Sequence, residues 1–312
     1  MGFNLFGSFG EPVRNAIVRL TLRPEDQDWS IRLPFKATRL DKTSLKIGIH
    51  CHIFHVDLAD ELLEKVSHCP FPFRLVITSD TEAKRTIISR VLQGFKFSEV
   101  EIRIVPNRGR DVAPRLISCR DLFFSCDLLL FLHTKNTACF SQRADWRRWL
   151  VENNCGSADM YRNIVGLFEN DGSIGLIYPQ TFPLVRRWMV WGGLFRSAQA
   201  FYKRMNIELS PLHKLDFPVG SMYWARTKAM MPLIELNLRW DDFPEEAGQA
   251  HGTLAHVIER SINYVCESVG YRWVKILSAD VKPTGRMIRV NSQDELTDFL
   301  KENDYRLLKL LI

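Results

Sequence analysis

Along residues 45–54, LKIGIHCHIF, apolar side chains fall at every second position, the repeat of a strand with a buried face. The period then changes. In VDLADELLEKVSH, Leu58, Leu62 and Val66 recur every four residues, and Asp57 stands where a helix cap is wanted. FRLVIT (73–78) predicts a second strand, DTEAKRTIISRVLQGF a helix, and EVEIRIV (99–105) a third strand. VAPRLISCRDLFFSC predicts another helix and DLLLFLH a fourth strand. Strand–helix alternation at this spacing predicts an α/β fold, a mostly parallel sheet flanked by helices. Ligands of such sheets bind in loops beyond the carboxyl ends of the strands.

The second half predicts a helix over about 157–170, a strand at IGLIY (174–178), and a Trp/Arg-rich loop RRWMVWGGLF. The segment LDFPVGSMYWAR follows, then an acidic turn WDDFPEEAGQ and a long helix from Gly252 to Val269 closed by Gly270. Residues 1–44 are irregular and are expected to be an N-terminal extension. Residues 45–279 form the expected main domain, and 280–312 a C-terminal tail with an amphipathic helix. In that tail Leu296, Phe299, Leu300, Leu307, Leu308 and Leu310 stand among Lys301, Arg306 and Lys309. It is expected either to lie on an anionic membrane surface or to dock on the domain's own core.

A chain of 312 residues that is 46% hydrophobic can bury a full core. A net charge of +6 suits an anionic ligand but is too dispersed for a nucleic-acid footprint. Seven scattered cysteines without a C-x-x-C pair point to reduced thiols and a cytoplasmic setting. No apolar run is long enough to span a membrane, and the first residues do not read as a signal peptide.

Four stretches carry chemistry. In PNRGRDVAP (106–114), Gly109 permits a tight turn, Arg108 and Arg110 supply fixed cations, and Asp111 stands where a helix would be capped. The loop reads as a phosphate cradle or as a capped turn with two solvated arginines. In LHTK (132–135), His133 and Lys135 close the fourth strand. Two such groups can neutralise a departing phosphate as a metal does elsewhere, or can be a core histidine and a solvated strand end. In WDDFPEEAGQAHGTLAHVIER, Asp241, Asp242, Glu245 and Glu246 crowd one turn, which favours a general base or merely an acidic helix start. His256 and Arg260 share a face of the following helix. Trp188, Trp191, Tyr223 and Trp224, with Gly192 and Gly193, suit a sugar ring or an apolar core. His50 and His52 share a strand face without a third metal ligand at convincing spacing, so a structural role is expected.

PNRGRDVAP, LHTK, WGG, DFPVGSMYWAR, DFPEEAGQ and GTLAHVIER, in this order, resemble the rhamnan synthesis protein F family of bacterial cell-surface polysaccharide loci. The stretch NRGRDVA is also similar to the N-x-G-x-x-x-A run of the GT-A glycosyltransferase fold. That likeness implies donor contacts from Asp80, Asn107, Arg108, Gly109, Arg110, Asp111, His133 and Lys135. In the GT-A pattern the next strand ends in a metal-binding acidic pair, and LHTK occupies that place, so a divalent metal is left open but not favoured. Members of the family carry an acid where this chain has His251, which leaves the base to the preceding turn. The resemblance thus implies an inverting transfer of rhamnose or a galactofuranose-type sugar from a nucleotide-diphosphate donor to a glycan or lipid-linked glycan, including O-antigen. Asp242 or Glu245 is the expected base, and Trp191, Gly192, Gly193, His256 and Arg260 are expected at the sugar or acceptor. The competing expectations are a non-catalytic glycan-binding accessory module and a metal hydrolase.

Overall fold

The computed structural model describes residues 28–34, 40–135, 141–247, 251–303 and 306–308. Residues 1–27 of the expected extension, Asn136, Cys139, residues 248–250, and Lys309 and Leu310 of the tail lie outside them.

One nine-stranded sheet carries the fold, in the order β4-β3-β2-β5-β7-β6-β8-β1-β9. Its strands are β1 (Ser30–Leu33), β2 (Ile47–His52), β3 (Phe73–Ser79), β4 (Val100–Ile104), β5 (Leu128–His133), β6 (Ile174–Pro179), β7 (Tyr223–Arg226), β8 (Arg272–Ser278) and β9 (Met287–Ile288). Only β7 runs against the others. β2, β5 and β6 are buried at every position, as strands covered on both faces must be. The flanking helices include α1 (Ala59–Ser67), α2 (Glu82–Leu92), α3 (Ser141–Cys155), α4 (Ala158–Asn170), α5 (Phe195–Lys203), α6 (Leu254–Ser268) and α7 (Gln293–Glu302). The mostly parallel α/β architecture expected from the alternation is the one observed.

Several local expectations change. Asp57 sits inside a short 3-10 turn, Val56–Leu58, and Leu58 occupies the α1 cap position. The helix expected over residues 112–126 is broken into a wide turn at Pro114–Ser118 and a short helix at Leu122–Ser125. The turn is widened where the Cys119 N–H donates to the Pro114 carbonyl, and Arg115 is drawn inward to Asp111. Within the expected extension, Ser30–Leu33 is a sheet strand that pairs with both β8 and β9. Asp28, just before it, is buried and bonded to Arg186 and Lys275. The tail turns its apolar side into the protein. Leu296, Leu300 and Leu307 are buried, and Phe299 meets Trp29 edge-on at 5.7 Å. Glu267 of α6 accepts the backbone N–H groups of Leu307 and Leu308 and the Trp273 indole N–H. These apolar residues therefore dock on the protein's own core, the second of the two expectations for the tail. Among the described residues no helix is long and apolar enough to cross a membrane.

Candidate functional site

Parallel order places the carboxyl ends of β2, β3, β4 and β5 along one edge. In register, His52 stands beside both His133 and Thr78. The Thr78 hydroxyl lies 2.9 Å from His50 Nε2 and 2.9 Å from His52 Nδ1. Burial pushes the imidazoles down, His50 well below its ordinary value and His52 to about 4. His133 is also buried and lowered by burial. Its Nε2–H donates to the Gly220 carbonyl at 2.8 Å, and Nδ1 lies 3.4 Å from the Thr134 carbonyl. His133 thus stands buried at the strand end beside Lys135, anchored to the segment that precedes β7.

The PNRGRDVAP loop leaves β4 through two left-handed residues, Gly109 (φ 65°) and Arg110 (φ 56°). A Cβ on Gly109 would meet the Phe243 ring at 2.5 Å, so the loop needs glycine there for space as well as for conformation. Phe243 belongs to the acidic turn, and the two segments are tied together. Arg108 donates to Glu245 at 2.8 Å and to Asp241 at 3.2 Å, and the backbones of Arg108 and Glu245 form a bridge. Arg110 lies 3.7 Å from Glu246, and the Asn107 carbonyl accepts the Glu246 N–H.

Asp111 does not cap a helix; it pairs with Arg115, which is buried over the Phe131 and Tyr223 rings and donates to the Ser221 carbonyl. Burial alone would raise the Asp111 carboxyl. Its neighbours His133, Arg115, His52 and Lys135 outweigh this and hold it far below the usual carboxylate range.

These elements border a small pocket of about 50 Å³ that is open to solvent. Arg110, Asp111 and Val112 line it from the basic loop, and His133 and Lys135 from the end of β5. Gly220 and Ser221 precede β7, and Ala255, His256 and Glu259 face in from α6. The Lys135 ammonium lies 4.1 Å from the centre of the Trp146 ring, at hand for the pocket rather than lost in solvent.

Five of the expected residues thus meet in one place: Arg110, Asp111, His133, Lys135 and His256. The others do not line it. Asp80, at the end of β3, pairs with Lys84 at 2.6 Å. Asp242 is exposed and caps its own turn by accepting the Arg239 N–H at 2.7 Å. Glu245 is exposed and held by Arg108. Trp191 is buried among Phe195, Tyr202 and Tyr264, with ring centres 5.6–6.3 Å away, so it packs the core instead of offering a sugar platform. Gly192 accepts a hydrogen bond from His251 Nε2, whereas a Cβ on Gly193 would meet nothing. Arg260 is buried and straps the tryptophan loop to α6 through the Val190 and His256 carbonyls. Sequence reasoning missed Glu259. The signal was there in its spacing, three residues after His256 on the same helix face.

The family model described as rhamnan synthesis protein F matches residues 16–271. This chain belongs to that family. Two proteins of Xanthomonas campestris pv. campestris, each described as uncharacterized protein WxcX, are 31% identical to this family member over 242 residues. The alignment covers 77% of this chain and 34% of theirs, so the chain spans about a third of the length of the curated relatives it matches. A mannosyltransferase, PcManGT of Pyrobaculum calidifontis, solved with GDP-Man and Mn2+, aligns with a TM-score of 0.45 at 12% identity. That alignment covers 81% of this chain and 61% of the other.

The end of β5 presents His133, Thr134 and Lys135 rather than an acidic pair. Asp111, the carboxylate beside the end of β5, is committed to Arg115, and a lysine and a backbone-bound histidine complete that wall. Among the described residues no three His, Cys, Asp or Glu side chains stand together as a metal site requires.

Proposed function

We propose that this chain is a glycosyltransferase unit. It moves a sugar from a nucleotide-diphosphate donor to a growing cell-surface polysaccharide, with inversion and without a divalent metal. The observation that carries this reading is the convergence of Arg110 and Lys135 on one pocket at the carboxyl edge of the sheet. Asp111 is paired with Arg115, and Arg110 stands 3.7 Å from Glu246, so both cations are held beside the space that a diphosphate would enter. Family membership supports the glycan side of the reading. dTDP-rhamnose and a galactofuranose-type donor are the first candidates, with a glycan or lipid-linked glycan as acceptor.

A thermal-shift screen of nucleotide sugars tests it. At a hundred times its dissociation constant, the right donor should stabilise the protein by about 2.7 kcal/mol. Binding and transfer should survive EDTA. Activity lost on chelation and restored by manganese would remove the metal-independent form of the proposal. Glycan binding with no nucleotide binding would point instead to a non-catalytic module.

Lys135→Ala should weaken donor affinity about tenfold to a hundredfold, the worth of one charge-assisted contact to phosphate of roughly 1.5–3 kcal/mol. The check is donor titration by calorimetry, with the melting temperature as a folding control. Unchanged affinity in a folded variant would take Lys135 out of the site.

A further inference from the structure

We infer that Glu259 is the carboxylate that accepts the proton of the attacking hydroxyl. The inference rests on the transferase reading above and assigns the base within it.

Two carboxylates line the pocket, and one of them is spoken for: Asp111 is bound to Arg115. The other is Glu259. Its side chain is 21% exposed, so it is held in place and still open to an incoming acceptor. One oxygen, Oε1, accepts the Gly220 N–H at 3.1 Å; Oε2 lies 3.7 Å from Arg260 Nη1, too far for a committed hydrogen bond. Gly220 is the joint of the pocket. Its N–H goes to Glu259 on α6, and its carbonyl takes the His133 Nε2–H at the end of β5. One peptide segment therefore fixes the carboxylate relative to the strand end where Lys135 stands. Gly220 holds a left-handed φ of 99°, and a Cβ there would meet Leu150 at 2.6 Å, so this segment has little freedom to shift.

The step balances as follows. The acceptor oxygen forms a bond to the anomeric carbon, and its proton passes to Glu259. The bond from that carbon to the phosphate oxygen breaks, and its electron pair leaves with the nucleoside diphosphate, beside Arg110 and Lys135. The turn carboxylates Asp242 and Glu245 are exposed and do not line the pocket, so they are not placed to take this proton.

Glu259→Gln is the decisive variant because glutamine keeps an oxygen for the Gly220 N–H and removes basicity. Transfer from the donor found in the screen (dTDP-rhamnose and a UDP-galactofuranose probe being tried first) to a synthetic octyl rhamnoside should fall by about 10²–10⁴ in kcat. Donor affinity should stay within about threefold and the melting temperature should hold. Glu259→Asp should recover part of the loss, which a purely structural role for the Gly220 contact would not predict. Asp242→Asn and Glu245→Gln should transfer at close to the wild-type rate. A Glu259→Gln enzyme with near-normal kcat, or a comparable loss in either turn variant, overturns the assignment to Glu259 alone. A wild-type protein that binds no nucleotide sugar overturns the transferase reading and this step with it.

Discussion

Asp28→Ala is expected to cost about 3–5 kcal/mol of folding stability, the usual consequence of removing one partner from a buried ion pair. Asp28 accepts from Arg186 Nε at 3.0 Å and Nη2 at 2.7 Å, and from Lys275 Nζ at 2.7 Å. Lys275 is fully buried and keeps Asp216 at 2.5 Å, but Arg186 would be left with Thr181 and Thr284 oxygens alone. The penalty is mainly that of an unbalanced buried guanidinium. A domain's total stability is about 5–15 kcal/mol, so this one change should bring the protein close to unfolding. Urea titration gives the number. Asp298→Ala serves as contrast, since its pair with Lys301 is well exposed and should be worth little. A denaturation midpoint unchanged in Asp28→Ala would mean that the segment before β1 does not hold the fold together.

That prediction concerns a stretch that reads as irregular in sequence. Trp29, Ile31 and Leu33 alternate, and all three are buried, so a period-two signal was present. It was too short to stand out, because Ser30–Leu33 is stabilised by partners from the far end of the chain, β8 and β9. The parallel block β2–β5 was legible because each strand is long, apolar and followed by a helix or turn that its own sequence announces. The reversed sense of β7 was not, since a strand's direction is set by the path of the chain around it and not by its side chains.

The site divides in the same way. Gly109 and the two arginines declared a tight basic loop, and the loop is there. The acidic turn declared crowded carboxylates, but nothing local says that Arg108 and Arg110 lie against them. Paired charges on two surface loops are a long-range fact. Glu259 was hidden for the opposite reason. It looks like one more charged residue on a helix until the fold brings Gly220 and His133 to it.

The neutral histidine cluster behind the pocket leads to the second large effect. Between pH 7.5 and pH 4, wild-type protein should lose about 3 kcal/mol more stability than a His52→Asn variant. Burial depresses the His52 imidazole from 6.5 to about 4. Asp111 and Asp80 pull its affinity for protons back up, and His133 and Arg115 push it further down. The folded state thus refuses a proton that the unfolded chain takes up near pH 6.5. Its contribution is fully present above that value and is lost as pH falls toward 4, at about 1.4 kcal/mol per unit. Asparagine can still reach the Thr78 hydroxyl from the place of Nδ1, but it does not titrate. The difference between the two proteins also isolates the effect from groups of opposite sign. Burial raises Asp216 to about 6 and Glu267 to about 7, so their protonation on acidification favours the folded state equally in both proteins. Denaturant titrations at half-unit pH steps give the two curves. If they run parallel from pH 7.5 to pH 4, His52 binds protons alike in both states, and burial does not keep its imidazole neutral.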